Sequence, residues 1–154
     1  MYRPTFTFTK DIEQELEGYD PQRFCMTEME QVFFEQLIDW YGEYCYIFPQ
    51  MHFSSLFHVS SSIRRTHTLQ NRIDRKSVDF VFVGKKKFKV VLLIELDDHS
   101  HRSPSRIERD KFVNMLCAKH NVPLLHFSPS DVESEEVVKK GIDDILTVLT
   151  THHG

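Results

Sequence analysis

Apolar residues recur at helical spacing soon after a strong helix-start signal. Thr27 followed by Glu30 fits a capping box, in which each residue satisfies a backbone N–H at the first turn. The apolar positions that follow at spacings of three and four are Met29, Val32, Phe33, Leu37, Trp40 and Tyr41. This period predicts a helix that begins at Thr27 and ends near Gly42.

Four later segments have the composition of β-strands. Residues 44–53 are rich in β-formers, but Pro49 cannot donate to a ladder, so this segment is predicted to be an edge strand or to contain a bulge. Residues 78–83 and 88–96 are strongly apolar, and the unbroken run 90–94 predicts a central strand covered on both faces. In residues 78–83, alternation places Val78, Phe80 and Phe82 on one face and Asp79, Val81 and Val83 on the other. A short strand is predicted over residues 122–127.

The remaining chain divides into helices, a loop and an arm. Ser103-Pro104 is a good start for a helix to about His120, and a last helix is predicted from about Asp131. Residues 58–72 are rich in Ser, Thr and Arg, which predicts a loop. We predict an N-terminal arm over 1–25 with a short helix near 11–17, one domain over 26–150 and a tail over 151–154. The order αβββαβα predicts a mixed sheet flanked by helices.

Three acids stand at the ends of these apolar strands. Asp79 lies one residue into the first buried strand, and Glu95 and Asp97 follow the aliphatic run 90–94. Two unit charges about 4 Å apart repel by about 4 kcal/mol at an effective dielectric of about 20. The acids are therefore protonated, paired with bases such as Arg72, Arg75 or Lys76, or holding a cation. All-oxygen ligation would suit Mg²⁺ or Mn²⁺ rather than zinc.

The segment after Glu95 adds imidazoles to this acidic group. It reads Asp97-Asp98-His99-Ser100-His101. Histidine changes its charge near neutral pH, so these side chains suit proton transfer or phosphate contact. Two His beside two Asp also suit a transition metal, although a surface loop is the simpler explanation for either His alone.

Charge is distributed unevenly along the chain. The net charge is −4, yet residues 63–89 hold nine basic and two acidic residues, so this segment carries +7 and the remainder −11. One surface facing phosphates would produce this asymmetry, and so would a solvated loop and hairpin. The hydrophobic content of 40% excludes bulk disorder. Three Cys without a Cys-x-x-Cys pair, no apolar run that could span a bilayer and no signal-peptide pattern predict a cytoplasmic protein.

Several of these segments together resemble the PD-(D/E)XK nuclease superfamily. The segments, in chain order, are 27–34 (TEMEQVFF), 48–50 (FPQ), 77–82 (SVDFVF), 91–101 (VLLIELDDHSH), 106–112 (RIERDKF) and 122–127 (VPLLHF). The chain is similar to the branch of very-short-patch repair endonucleases and to an uncharacterised relative often attached to topoisomerase-type zinc fingers. The resemblance covers roughly residues 25–128. It implies an α/β, restriction-endonuclease-like αβββαβ core, with a central four-stranded mixed sheet flanked by helices.

The resemblance also assigns roles to residues. Asp79 and Glu95 match acidic ligands for Mg²⁺ or Mn²⁺. Asp97 takes the place of the Lys that many members carry, and the very-short-patch branch also has Asp there. His101 matches a His implicated in catalysis there. Glu30 matches an acid sometimes found on the first helix, although the capping box is the simpler explanation.

Further polar residues have less specific matches. Gln50 matches a polar residue near some sites, and we assign it a structural role. His101, Arg106 or Lys119 are candidates to replace the missing Lys. Candidate nucleic-acid contacts are Arg72, Arg75, Lys76, Arg106 and Arg109, although Arg106 and Arg109 equally suit ion pairs with Glu108 and Asp110.

Three functions follow as hypotheses. The first is a metal-dependent endonuclease acting on DNA, with RNA as an alternative substrate. The second is a nuclease fold that binds nucleic acid or a protein partner without hydrolysis, which the missing Lys favours. The third is an interaction or structural protein whose acids are only paired.

Overall fold

Four strands form one mixed sheet in the computed structural model, which describes residues 9–60, 62, 66–97 and 104–151. The strands are β1 (Cys45–His52), β2 (Ser77–Gly84), β3 (Val90–Leu96) and β4 (Leu124–Phe127). They lie in the order β1-β2-β3-β4, with β1–β2 and β2–β3 antiparallel and β3–β4 parallel. The predicted edge position of the Pro49 strand and the central position of the 90–94 run are confirmed.

Helices flank this sheet. They are α2 (Glu28–Tyr41), α3 (Thr66–Asp74), α4 (Pro104–Lys119), α5 (Pro129–Val132) and α6 (Glu135–Thr151), with a 3-10 turn at Phe53–Ser55. The helix before them, α1 (Lys10–Leu16), is exposed along its length. The capping box at Thr27 is present, as predicted. The predicted fold class, α/β with a four-stranded mixed sheet flanked by helices, is therefore correct.

Two apolar clusters cover the two faces of the sheet. The first joins β-strand residues such as Phe80 and Ile94 to α2 through Phe33 and to α6 through Ile142. The second joins Val81 and Leu93 to α3 through Ile73 and to α4 through Val113. Burial of these large side chains supplies the main driving force for folding, at about 1.5–3 kcal/mol for each fully buried one. The two clusters also fix the ends of β2 and β3, where the acids lie.

Some local predictions were wrong. Residues 66–74 form α3, which overlaps the second half of the predicted loop 58–72. This helix is polar and has Ile73 as its buried anchor, which leaves no apolar period to recognise. Two helices, α5 and α6, stand where one last helix was predicted. A second capping box, formed by Ser128 and Asp131, starts α5 before α6 begins. Strand β3 begins at Val90, since Phe88 has a positive φ of 51° and belongs to the hairpin turn.

The alternation along β2 is also broken at its start. Val78 packs in the second cluster with Val81 and Val83, and not with Phe80 and Phe82 in the first. The change of side falls at Asp79, where the ladder to β1 is interrupted. Within the described residues, no helix is long and apolar enough to cross a membrane.

Candidate active site

Asp79 lies where the backbone pairing of β2 is interrupted, both toward β1 and toward β3. The β1–β2 register has the pairs Pro49↔Phe80 and Met51↔Val78, with the Gln50–Asp79 position between them unpaired. On the other side, the β2–β3 pairing stops at Phe80↔Ile94. Beyond it, the Leu96 N–H donates to Asp79 Oδ2 at 2.7 Å. Asp79 therefore separates the strands and occupies the fork between them.

Glu95 and Asp97 enter the same cavity from β3. Glu95 stands beside His126 in the parallel β3–β4 pair. Just past the strand, the Asp97 N–H donates to Phe127 O at 2.8 Å. The resulting cavity, of about 390 Å³, is lined by Glu30, Asp79, Glu95 and Asp97 together with basic residues. The three strand-end acids predicted to form the site thus share one cavity.

Burial and mutual repulsion change the titration of these acids. The pKa of Glu95 rises from 4.5 to about 9, mainly because the carboxyl is buried, and then because Asp79, Asp97 and Asp110 are negative. The pKa of Asp79 is also raised by burial, although hydrogen bonds from Leu96, Glu95 and Gln50 oppose the shift. At neutral pH, Glu95 therefore keeps its proton and shares it with Asp79.

Asp97 has a different partner. Its Oδ2 lies 2.8 Å from His126 Nδ1, and His126 Nε2 lies 2.8 Å from Asn114 Oδ1. His126 is thus held between a β3 carboxylate and an α4 amide, with the ring fixed in orientation. We did not assign His126 or Asp110 to the site from the sequence. The segment 122–127 contained a signal for His126, since a parallel strand after a crossover helix lies beside β3.

Gln50 connects Glu30 to Asp79. Its Nε2 donates to Glu30 Oε1 at 2.8 Å and approaches Asp79 Oδ1 at 3.5 Å. Glu30 uses its other oxygen, Oε2, to accept the Thr27 N–H at 2.6 Å. Glu30 therefore both caps α2 and faces the cavity. Gln50 has a φ of 52°, a conformation that costs a non-glycine residue energy and that places its amide between two acids.

Substitution can separate the energetic cost of the positive φ at Gln50 from the stabilisation that its amide hydrogen bonds provide. We expect Gln50→Ala to lower the free energy of unfolding by about 1–3 kcal/mol, because two partly buried acceptors lose their donor while the strained backbone remains. Gln50→Gly loses the same donor but accepts the positive φ, so it should recover about 0.5–1 kcal/mol of that loss. Urea denaturation of the two variants measures the difference. Equal stability of the Ala and Gly variants would contradict a strained backbone at this position.

Basic side chains form one wall of the cavity. Arg75, Lys76 and Arg109 line it, and Lys76 Nζ donates to Arg109 O at 3.2 Å. Burial lowers the pKa of Lys76, and the nearby charges of Arg109 and Arg72 lower it further. The negative charges of Asp110 and Glu108 oppose this shift without cancelling it.

The basic wall continues outward over an aromatic ring. Arg72 lies over the Phe112 ring at 4.2 Å and Lys76 lies over it at 4.5 Å. Arg72, Arg75, Lys76 and Arg109 also line an adjoining groove. Four of the five predicted nucleic-acid contacts are therefore contiguous.

These bases do not neutralise the acids of the fork. Arg109 pairs with Asp110 at 3.8 Å, as one of the alternatives anticipated. Among the residues that the structure describes, no ion pair joins Asp79 or Glu95 to Arg72, Arg75 or Lys76. Protonation, not pairing, is what relieves the repulsion at Glu95.

Two predicted site residues cannot be placed. His101 lies outside the described residues, and so does the side chain of Arg106. Lys119, at the last turn of α4, is exposed and does not line the cavity.

The acids have the chemistry of a site for a hard cation. In the described part of the chain, no three His, Cys, Asp or Glu side chains are already arranged to hold a metal ion. Asp79, Glu95 and Asp97 nevertheless line one cavity, and carboxylate oxygens are the ligands that Mg²⁺ and Mn²⁺ prefer. A cation would replace the proton on Glu95 as the positive charge among them.

One comparison with known proteins found a match. The model of a family described as a protein of unknown function, DUF2726, matches residues 22–145. The matched region contains every described residue that lines the acidic cavity. Neither the curated proteins nor the solved structures contained a match.

Proposed function

We propose that this chain, which belongs to the DUF2726 family, is a metal-dependent phosphodiester hydrolase that acts as a DNA endonuclease of the PD-(D/E)XK type. The observation that carries the proposal is the convergence of Asp79, Glu95 and Asp97 in one cavity with a basic wall. Acids suit a cation and bases suit phosphate, so the two sets together fit a phosphodiester.

The residues divide the work between them. Asp79, Glu95 and Asp97 would hold Mg²⁺ or Mn²⁺, with Asp79 fixed by the Leu96 N–H and Asp97 fixed by His126. The bound ion supplies Lewis-acid polarisation of a phosphate oxygen and acidifies a water. Glu30 lines the same cavity and anchors Gln50, so it supports Asp79 from the opposite side.

Lys76 is the described residue best placed to supply the charge of the missing motif Lys. It lines the same cavity as the acids, where a positive group would stabilise the negative charge that develops on a phosphate. Its lowered pKa results from burial beside Arg109 and Arg72, and a bound phosphate would relieve that repulsion. His101 keeps its proposed catalytic role from the resemblance.

Plasmid cleavage tests the proposal. Supercoiled DNA and a labelled single strand are incubated with Mg²⁺ or Mn²⁺ and either the wild type or Glu95→Gln. Glu43→Gln, at an exposed position outside the cavity, is the matched control. Cleavage by the wild type and the control but not by Glu95→Gln is expected. Equal cleavage by all three proteins would remove Glu95 from the site, and no cleavage by the wild type would favour the alternative below.

The basic wall predicts how binding responds to salt. Replacing Arg75 or Arg109 with Gln should weaken duplex binding about uniformly across sequences and reduce the salt slope by about one. Lys140→Gln, on an exposed part of α6, removes one positive charge without altering the wall. Fluorescence anisotropy between 50 and 200 mM salt measures both effects. A wall variant with the salt slope of Lys140→Gln would show that the wall does not contact phosphates.

The second candidate is a nuclease fold that binds nucleic acid without hydrolysis. Asp97, at the position where many superfamily members carry Lys, favours it, because this side chain is bound to His126. Metal-independent binding with the salt dependence above, together with no cleavage, would establish this function. For either candidate we propose a cytoplasmic location, which the three free cysteines support.

A further inference from the structure

A group of exposed aromatic rings lies at the end of the sheet away from the acidic cavity. We call Tyr46, Phe48 and Phe88 with the adjacent lysines the hairpin patch. Tyr46 and Phe88 are stacked, with ring centroids 5.3 Å apart and planes inclined by 23°. Phe48 approaches Tyr46 at 6.4 Å. Phe88 is 66% exposed, and Tyr46 and Phe48 are 42% and 40% exposed.

The sheet explains why these rings are uncovered. On β1, Cys45 and Ile47 are buried in the first cluster, so alternation turns Tyr46 and Phe48 to the opposite face. That face is covered by α3 and α4 over the second cluster, of which neither Tyr46 nor Phe48 is a member. The described helices therefore leave this part of the face open.

Phe88 is held outward by a strained turn. Its φ is 51°, in the left-handed region that bulky residues rarely adopt. The turn is fixed by two backbone bonds: Phe88 N–H donates to Gly84 O at 2.9 Å, and Gly84 N–H donates to Lys89 O at 2.8 Å. Glycine or asparagine would fit this backbone with less strain. Strained residues of this kind cluster at binding and catalytic sites, so the exposed face of Phe88 is a candidate contact for a partner.

The charge around the rings specifies the kind of partner. Lys85, Lys86, Lys87 and Lys89 are all exposed in the same hairpin. Lys85 Nζ lies 5.3 Å from the centre of the Tyr46 ring. Residues 80–94 include no Asp or Glu. Among the described residues, no ion pair joins these lysines to an acid. Planar faces beside such cations suit a polyanion with exposed bases.

We propose that the hairpin patch binds single-stranded nucleic acid, with bases stacking on Phe88 and Tyr46 and phosphates contacting the lysines. Stacking on aromatic rings tolerates any base, whereas the bases of a duplex are already stacked and unavailable. A second copy of the chain is a poorer occupant, because the lysines would repel each other and Pro49 and Gln50 interrupt the β1 edge.

This surface is separate from the proposed hydrolytic site. Tyr46 pairs with Val83, four residues along β2 from Asp79, which is about 13 Å of strand. Binding here requires neither metal nor hydrolysis. The proposal therefore stands or falls independently of the endonuclease proposal.

Anisotropy measurements in EDTA test the patch. The probes are a labelled 12-residue thymidine oligomer, an abasic oligomer of the same length with the same phosphates, and a labelled duplex hairpin. The variants are Phe88→Ala, Phe88→Tyr and Phe88→Gly. Phe24→Ala is the matched control, because Phe24 is also 66% exposed and also has a neighbouring cation, Arg23.

We expect the thymidine oligomer to bind more tightly than the abasic oligomer. Phe88→Ala should weaken its binding by roughly tenfold, and Phe24→Ala should not. Phe88→Tyr should restore binding, since it keeps a stacking face. Phe88→Gly should lose binding while unfolding at no lower temperature than the wild type, which separates loss of the ring from loss of the fold.

Three results would overturn the proposal. They are equal affinity for the thymidine and abasic oligomers, equal losses for Phe88→Ala and Phe24→Ala, and a concentration-dependent dimer that Tyr46→Ala disrupts. The last result would assign the patch to self-association.

Discussion

Glu95→Gln is expected to abolish cleavage and, in the absence of metal, to make the folded protein more stable. Loss of a carboxylate ligand removes Lewis-acid stabilisation worth several kcal/mol, and each 1.4 kcal/mol is about tenfold in rate, so the loss should exceed about 100-fold. Gln has nearly the shape of Glu. Its amide can also donate to Asp79, as the protonated Glu95 does.

The stability gain follows from the direction of the pKa shift. The pKa of Glu95 is about 9 in the folded protein and 4.5 when exposed, so between these values the folded state binds the extra proton. Stability therefore falls as pH rises through this window. At pH 7 the resulting penalty is on the order of 3 kcal/mol relative to pH 4.5 and below. A neutral Gln does not incur it.

Urea denaturation in EDTA from pH 5 to 9 measures this effect. The wild type should lose stability steadily across the range through Glu95, and Glu95→Gln should show a flatter profile. Glu43→Gln, at an exposed position, should follow the wild type. A Glu95→Gln protein that is less stable than the wild type at pH 8 would contradict a protonated, buried Glu95.

Cation affinity is expected to rise about tenfold for each pH unit between about 5 and 9. A divalent cation and a proton compete for Glu95, because a ligating carboxylate must be ionised. Since the pKa of Glu95 is about 9, binding at pH 7 must displace its proton. Raising the pH from 6 to 8 should therefore increase affinity for Mn²⁺ by roughly 100-fold.

Calorimetry in buffers of different ionisation enthalpy checks this exchange. At pH 7 the wild type should release about one proton for each Mn²⁺ bound, and Glu95→Gln should bind more weakly and release less. Thermal unfolding at pH 8 should show stabilisation of the wild type by Mn²⁺. Binding whose affinity is independent of pH would place the cation away from Glu95.

The acidic fork could be predicted because its members interrupt apolar strands. Asp79 and Glu95 are conspicuous next to buried aliphatic residues, and a local pattern is enough to find them. The sheet was predictable for the same reason, since β2 and β3 are apolar on both faces. The clusters that bury these strands then bring the acids together.

Contacts between distant segments could not be predicted in this way. His126 reaches Asp97 only through the β3–β4 pair, and Asp110 reaches the cavity only through the placement of α4. Gln50 was given a structural role. Its positive φ and its link to Glu30 depend on the unpaired Gln50–Asp79 position in the β1–β2 ladder, and Pro49 indicates only that the strand is an edge or contains a bulge. Helix α3 was missed because its stability depends on tertiary packing of Ile73.

Glu30 divides its two carboxylate oxygens between the first turn of α2 and the amide of Gln50. Helix initiation and the electrostatic state of the fork are consequently linked equilibria, and linkage acts in both directions. A charge change beside Asp79 alters the free energy of fraying at Thr27, and fraying there alters the charge that the fork experiences. The first turn of α2 thus belongs to the same cooperative unit as the acids, although Glu30 is 49 residues from Asp79 along the chain.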